Sequence, residues 1–313
     1  MVSRSDGGGK TVLVTGASGF TGRYMVQALE KRGYSVVSLA GAVRPSSEAD
    51  QPTPSAVRVR RTDLRSLHDL TQIMDEVRPD HVVHLAALAF VAHGQVEDFY
   101  QINLLGTRNL FQAMQDVRHQ PESVLVASSA NVYGNATEGV ISEEERPNPA
   151  NDYAVSKLAM EYVARLWSDR YPVVIARPFN YTGIGQDEKY LIPKIVSHFA
   201  RRAKKIELGN IDVWRDFGDV RAVVDAYVRL MVTPQAASTI VNVCSGKAHS
   251  LREIIDFCKR ITGHDIDIQV NPAFVRANEV RVLRGSNDRL RHLIGDWSSP
   301  EINQTLEWML NEK

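Results

Sequence analysis

Through the first 177 residues, short apolar runs alternate with longer stretches in which apolar residues return every three or four positions. Residues 12–14, 35–39, 57–60, 81–85, 123–128 and 173–177 have the length and β-branched content of strands in a covered sheet. Residues 24–32, 64–77, 99–114 and 152–171 carry the helical period. Asp63 stands where it would cap the second of these helices, and Pro149 and Asn151 open the last. Strands and helices in alternation predict a doubly wound α/β domain, a parallel sheet with helices on both faces. Beyond Arg177 the pattern loosens. Helices are predicted at 191–205, 220–231, 251–262 and 301–311, and strands at 206–208, 240–243 and 266–270. Residues 178–313 therefore read as a smaller α/β lobe, with segments near 213–245 returning to the domain of 11–177. Residues 1–10 read as a loose tail, and the Pro- and Ser-rich 41–56 as a surface loop.

The first strand runs straight into Gly16-Ala17-Ser18-Gly19-Phe20-Thr21-Gly22 and then a helix. A strand, a glycine turn and a helix in that order aim backbone N–H groups from a positively polarised helix end, which is a cradle for a pyrophosphate. Gly16 suits the tight turn, Gly19 a close approach of backbone to phosphate, and Gly22 the packing of helix on strand. The expectation is a dinucleotide held by Gly16, Ser18, Gly19, Phe20, Thr21 and Gly22.

Composition narrows the field. Lysine plus arginine equals aspartate plus glutamate at 37 each, so no global charge recruits nucleic acid or a membrane surface. The basic run Arg201, Arg202, Lys204 and Lys205 reads as a solvated helix end. No apolar run has the length of a bilayer span, and the first residues do not read as a signal peptide. Cys244 and Cys258 lie in apolar surroundings, as reduced thiols of a cytoplasmic protein would. Neither they nor the nine histidines have metal-ligand spacing, so no metal is expected.

Tyr153 and Lys157 stand four residues apart, on one face of a predicted helix. A phenol of ordinary pKa, about 10, is a slow acid or base at neutral pH, and a neighbouring ammonium lowers that value. The strand ending in Ser128-Ser129 precedes this helix, and a hydroxyl at the carboxyl end of a parallel strand sits where such sheets take ligands.

The glycine loop, His84-Leu85-Ala86-Ala87, Asn103-Leu104-Leu105-Gly106-Thr107, Ser128 to Gly134 (SSANVYG) and Tyr153 to Lys157 (YAVSK) together resemble the extended short-chain dehydrogenase/reductase superfamily. They are most similar to its nucleotide-sugar epimerases, dehydratases and reductases, and the resemblance spans nearly the whole chain. It implies a Rossmann-type fold with a C-terminal sugar-nucleotide lobe, and Ser129, Tyr153 and Lys157 as the catalytic trio. It implies adenine contacts at Asp63 and Leu64, cofactor contacts at Leu85, Ala86, Ala87 and Arg177, and support of the lysine by Asn103. The segments 208–217 and 276–280 resemble enzymes acting on GDP-mannose derivatives. By that likeness Arg215 and Arg276 would bind the substrate diphosphate, Glu279 a ribose, and Ser129, Asn131 and Asn180 the sugar side. The resemblance also implies a homodimer through helices 99–114 and 152–171, with Leu158, Tyr162, Leu166 and Trp167 as candidate interface residues or sheet-facing ones.

One departure matters. In sugar 4,6-dehydratases an acidic pair follows the catalytic Ser or Thr, whereas here the two positions are Ala130 and Asn131, neither suited to proton transfer. The resemblance therefore implies NAD(P)H-dependent reduction of the 4-keto group of a GDP-4-keto-6-deoxyhexose. A 4-epimerase with tightly held NAD and a silent dinucleotide-sensing protein are the alternatives. The second strand ends without the carboxylate that would accept the adenosine ribose, and Arg44 follows it. NADPH is thus the expected cofactor, and an Arg44 that simply projects into solvent would leave NADH usable as well.

Overall fold

A computed structural model describes residues 7–41, 58–89, 95–134, 139–274 and 282–311. Fourteen strands occur among them: β1 Thr11–Thr15, β2 Ser35–Ala40, β3 Arg58–Arg61, β4 His81–His84, β5 Ser123–Ala127, β6 Gly139–Ile141, β7 Val173–Pro178, β8 Asn180–Thr182, β9 Lys205–Leu208, β10 Trp214–Asp219, β11 Thr239–Val243, β12 Ala248–Ser250, β13 Asp267–Val270 and β14 Val282–Gly285. The chain divides into two compact units, Met1–Val132 with Pro149–Arg177 and Val224–Val241, and Tyr133–Asn148 with Pro178–Val223 and Asn242–Lys313.

The first unit is built on a sheet of order β3-β2-β1-β4-β5-β7-β11, in which every pairing from β3 through β7 is parallel. The order reverses between β1 and β4, the place where doubly wound sheets bind ligands beyond their carboxyl ends. This is a Rossmann-like α/β fold. Its helices include α1 Phe20–Lys31, α2 Leu67–Val77, α3 Val96–Phe99, α4 Gly106–Asp116 and α5 Asp152–Arg165. Leu13, Val37, Val82, Val124 and Ile175 from the strands pack with Leu70, Met74, Leu110, Phe111, Met114 and Met160 from the helices in one buried cluster. Full burial of such side chains contributes about 1.5–3 kcal/mol each.

Several local expectations need correction. Helix α1 begins at Phe20 rather than 24, so Phe20, Thr21 and Gly22 form its first turn. Asp63 does not cap α2: its carboxylate is bound by Arg65, and Ser66 caps the helix by accepting from the Asp69 N–H. The helix expected over 99–114 is interrupted by a π turn at Tyr100–Leu105. Helix α5 stops at Arg165, six residues early, and α6 at Leu191–Ala200 stops five early.

The second unit holds a sheet of order β12-β10-β14-β6 with β8 beside β10, and a β9-β13 ribbon. Most of that sheet goes unread in the sequence, because its strands are short and β10 carries Arg215, Asp216 and Asp219 where a core strand would be apolar. Asp216, fully buried, is satisfied by the N–H groups of Ser245 and Gly246 and by the Ser245 hydroxyl. Ile195, Phe199, Leu208, Ile254, Cys258 and Leu306 form this unit's core. Cys244 and Cys258 are buried and free, and burial pushes the Cys258 thiol up to about 12. No helix among the described residues is long and apolar enough to cross a membrane.

Candidate active site

The glycine loop joins β1 to α1. Gly16 has φ +69°, and a Cβ there would come 2.6 Å from the Ala86 nitrogen. A Cβ on Gly22 would come 2.1 Å from the Gly16 carbonyl oxygen, so neither position admits a larger residue without backbone movement. Gly19 is the N-cap of α1 in an extended conformation and crowds nothing closer than 3.3 Å, so its lack of a side chain leaves open space at the helix end. The Ser38 hydroxyl in β2 and the Thr62 hydroxyl just past β3 are buried and have no hydrogen-bond partner among the described residues. An anion cradle beside orphaned buried hydroxyls fits a dinucleotide with its hydroxyl-bearing ribose.

A buried hydrogen-bond chain links this loop to α5. The Ala86 N–H donates to Thr15 Oγ1, which lies 2.7 Å from His84 Nδ1. His84 Nε2 lies 2.8 Å from Thr107 Oγ1, and the Thr107 hydroxyl donates to the Asn103 carbonyl. With that donor spoken for, His84 must give its Nε2 hydrogen to Thr107 and accept from Thr15 at Nδ1. The ring is therefore neutral, in keeping with burial and the Lys157 charge lowering its pKa to about 3. Asn103, fully buried on the π turn, receives the Leu88 N–H at Oδ1 and donates to the Leu88 carbonyl and to Ser156 Oγ. Its side chain thus supports α5 through Ser156, the residue before Lys157. Leu85, Ala86 and Ala87 are half-buried after β4.

Ser129 follows the end of β5, and its Oγ accepts the Asn131 N–H at 3.1 Å. The hydroxyl is buried, and its hydrogen has no acceptor among the described residues. Tyr153 and Lys157 lie one turn apart on α5, whose N-cap is Asn151. The Tyr153 ring stands edge-on to Phe99, centroids 6.2 Å apart. Lys157 is buried and donates to the Ala127 carbonyl at 2.5 Å, two residues before Ser129. Burial lowers its pKa from 10.5 to about 8, with Glu161 pulling the other way. With Tyr153 one turn before Lys157 on α5, Lys157 and Ser129 thus both lie at the carboxyl end of β5. Ala130 and the exposed Asn131 form a 3-10 turn there that brings no carboxyl group of its own.

Other expected residues are placed differently. The Arg177 guanidinium is buried and held by both oxygens of Glu161, at 2.8 and 2.6 Å, an ion pair the sequence reading did not anticipate. The Asp63 carboxyl is held below its usual range by Arg65, and Leu64 is in the core. In the second unit Asn180 is exposed and donates to the Asp216 carbonyl, while Arg215 is half-buried and donates to the Trp214 carbonyl. Arg44, Arg276 and Glu279 lie outside the described residues. Tyr162 on α5 and Leu166 just past its end are exposed, whereas Trp167 stacks on Phe111. Among the described residues no group of three or more His, Cys, Asp or Glu could hold a metal ion.

Residues 12–244 match the NAD dependent epimerase/dehydratase family. The chain belongs to this family. It is 37% identical over 312 residues to GDP-6-deoxy-D-mannose reductase of Pseudomonas aeruginosa, covering 96% of each chain. It is 32% identical over 304 residues to GDP-6-deoxy-D-talose 4-dehydrogenase of Aggregatibacter actinomycetemcomitans, covering 96% of this chain and 97% of the relative. The structure of RMD from Pseudomonas aeruginosa complexed with NADPH superposes with a TM-score of 0.82 at 34% identity, covering 96% of this chain and 97% of the other. The protein is thus an NAD(P)-dependent oxidoreductase that modifies nucleotide sugars. Within the family frame, the sequence signals for the trio and the glycine loop were local and readable. Of the partners behind them, His84, Thr107 and Ser128 lie within the quoted motifs without any sign of their bonds, and Glu161 is marked by its four-residue step from Lys157 alone.

Proposed function

We propose that this protein reduces the 4-keto group of a GDP-4-keto-6-deoxyhexose with NADPH, giving a GDP-6-deoxyhexose such as GDP-D-rhamnose. The observation that carries this reading is Ser129 at the end of β5, sharing its turn with Ala130 and Asn131 in place of an acid and a base. The two relatives named above, one a reductase and one a dehydrogenase of GDP-6-deoxyhexoses, support the substrate class.

NADPH supplies the hydride when bound, with Gly16, Ser18, Gly19, Phe20, Thr21 and Gly22 holding its pyrophosphate. Tyr153 gives its hydroxyl proton to the oxygen at C4 as charge develops there, and Ser129 donates a hydrogen bond to the same oxygen. Lys157, as an ammonium, favours the phenolate left behind and holds the nicotinamide ribose. Elimination of water from a hexose would need a further acid and base, and neither Ala130 nor Asn131 supplies one. The resemblance to enzymes acting on GDP-mannose derivatives supports Asn131 and Asn180 as the residues that would bind the sugar side, and Arg215, Arg276 and Glu279 as those that would bind the nucleotide.

The test is product analysis. With GDP-4-keto-6-deoxymannose and NADPH, the expected result is NADPH oxidation and a GDP-6-deoxyhexose, whose C4 configuration is read by NMR. GDP-mannose offered alone is expected to remain unchanged. Failure to oxidise NADPH, or interconversion of 4-epimers without added cofactor, would overturn the reading.

Cofactor choice follows from the edge of the sheet. In register, Ala40 at the end of β2 lies opposite Arg61 at the end of β3, so neither strand end carries a carboxylate, and the exposed Arg61 is the candidate partner for a 2′-phosphate. Its neighbour Arg60 is paired with Glu76. A guanidinium there attracts a 2′-phosphate by charge-assisted hydrogen bonds. Arg61→Ala is expected to lower kcat/KM for NADPH about tenfold and leave NADH nearly unaffected, which corresponds to about 1.4 kcal/mol. Arg44→Ala, run in parallel, tests the sequence-derived candidate. An unchanged cofactor ratio in Arg61→Ala would remove that residue from the phosphate contact.

A further inference from the structure

Behind the trio lies a buried ionic cluster for which the proposed reaction has no direct use. Glu161 is 2% exposed and Arg177 3% exposed. The carboxylate receives Arg177 Nε and Nη2 and the Ser128 hydroxyl, the last at 2.5 Å. The three groups come from different elements: Glu161 from α5, Ser128 from just past the end of β5, and Arg177 from β7. The Ser128 N–H in turn donates to the Ala176 carbonyl of β7. A buried ion pair is a weak source of stability, since desolvation cancels most of its attraction and apolar replacements often serve as well. Its retention beneath the reactive groups calls for another reason.

Two observations supply one. Ser128 is flanked by Ala127, whose carbonyl receives Lys157, and by Ser129, whose hydroxyl the proposed reduction uses. Clamping Ser128 to Glu161 therefore fixes both neighbours. Glu161 also stands one helical turn after Lys157, on the same face of α5. We propose that Glu161 is a positioning residue for the reduction: clamped by Arg177 and Ser128, its carboxylate fixes the carboxyl end of β5 and sets a buried negative charge against Lys157.

The surroundings of Lys157 leave this role to Glu161. Tyr153 shares its helix, His84 on β4 is neutral, and Arg177 on β7 is spent on Glu161. At the rim, Tyr100 on the π turn donates to Asp152 at the start of α5. Burial drives Lys157 toward its neutral form, and Glu161 is the group that opposes it. Without that carboxylate the ammonium loses its proton at lower pH, and the phenol, seeing more uncompensated positive charge, does the same. Reduction needs both protonated, so the alkaline limb of kcat/KM moves to lower pH.

This inference rests on the proposed reduction, and the experiment separates the two. In wild type, Glu161→Gln and Glu161→Asp, kcat/KM is measured against pH, and the Lys157 13Cε resonance is titrated by NMR without substrate. Glu161→Gln is expected to lower both the alkaline limb and the Lys157 midpoint by about one pH unit. Glu161→Asp, which keeps the charge, is expected to restore the midpoint most of the way. Should Glu161→Gln fail to fold, Glu161→Gln/Arg177→Gln removes both buried charges, and a smaller downward shift is expected. Wild-type protein that turns over no GDP-4-keto-6-deoxyhexose refutes the reaction, while the Lys157 titration still decides the role of Glu161. A midpoint unmoved in the Gln variants overturns that role, even where turnover falls, because a purely structural contact would lower rate without moving the titration.

Discussion

Tyr153→Phe is expected to lower kcat by about 10²- to 10⁴-fold, the range for a positioned general acid. The change removes one oxygen and keeps the ring, whose edge-on contact with Phe99 holds it in place. Lys157, Ser129 and the glycine loop are untouched, so NADPH should bind within a few-fold of wild type, as read by quenching or transfer of protein fluorescence. The loss should fall on the chemical step in single-turnover measurements. Turnover within a few-fold of wild type would mean that the proton reaches the C4 oxygen by another route.

Lys157→Met is expected to make the protein more stable and nearly inactive. In the folded protein Lys157 releases its proton near pH 8, whereas the unfolded chain keeps it to about 10.5. Between those values the unfolded chain binds more protons, so wild-type stability rises with pH across that window. Below pH 8 the full cost of burying the ammonium is present, about 3 kcal/mol. Methionine removes that charge and fills similar space, while losing the hydrogen bond to the Ala127 carbonyl, about 1 kcal/mol. The net expectation at pH 7 is a gain of about 1–2 kcal/mol in chemical denaturation, shrinking toward pH 10.5. Turnover should fall by orders of magnitude, because the phenol returns toward its ordinary pKa and the ribose loses its cation. A variant that is less stable at pH 7 would show that the ammonium is solvated in the folded state. Such a trade of stability for function is expected wherever a charge is held in a core for chemistry.

The same lysine shows where the limits of the sequence lie. Its four-residue distance from Tyr153 is enough to place both on one helical face, and the glycine spacing after β1 is enough to place an anion cradle at a helix end. Both are local features: helix period, turn chemistry and strand length act on neighbours in the chain. The parallel pairing of β1 to β5, though not their order, was likewise legible, since apolar runs alternate with helical ones. Arg177 shows the opposite case. The resemblance implies a cofactor contact for Arg177 at the end of an apolar strand, yet it is paired with a carboxylate 16 residues away, and the hydroxyl that completes the cluster is 33 residues from Glu161. A charge can be buried only where partners converge, and convergence is set by strand order and helix docking rather than by spacing. Asp216 on β10 makes the same point, because its strand reads as polar until backbone N–H groups close around it. The sequence by itself determined the fold class, the glycine turn between β1 and α1 and the Tyr153–Lys157 face, because those depend on residues within a few turns of one another. Only the tertiary structure decided that Glu161 is held in an ion pair with Arg177, that His84 is a neutral link, and that Arg61 lies opposite Ala40, because each depends on register between segments far apart in the chain.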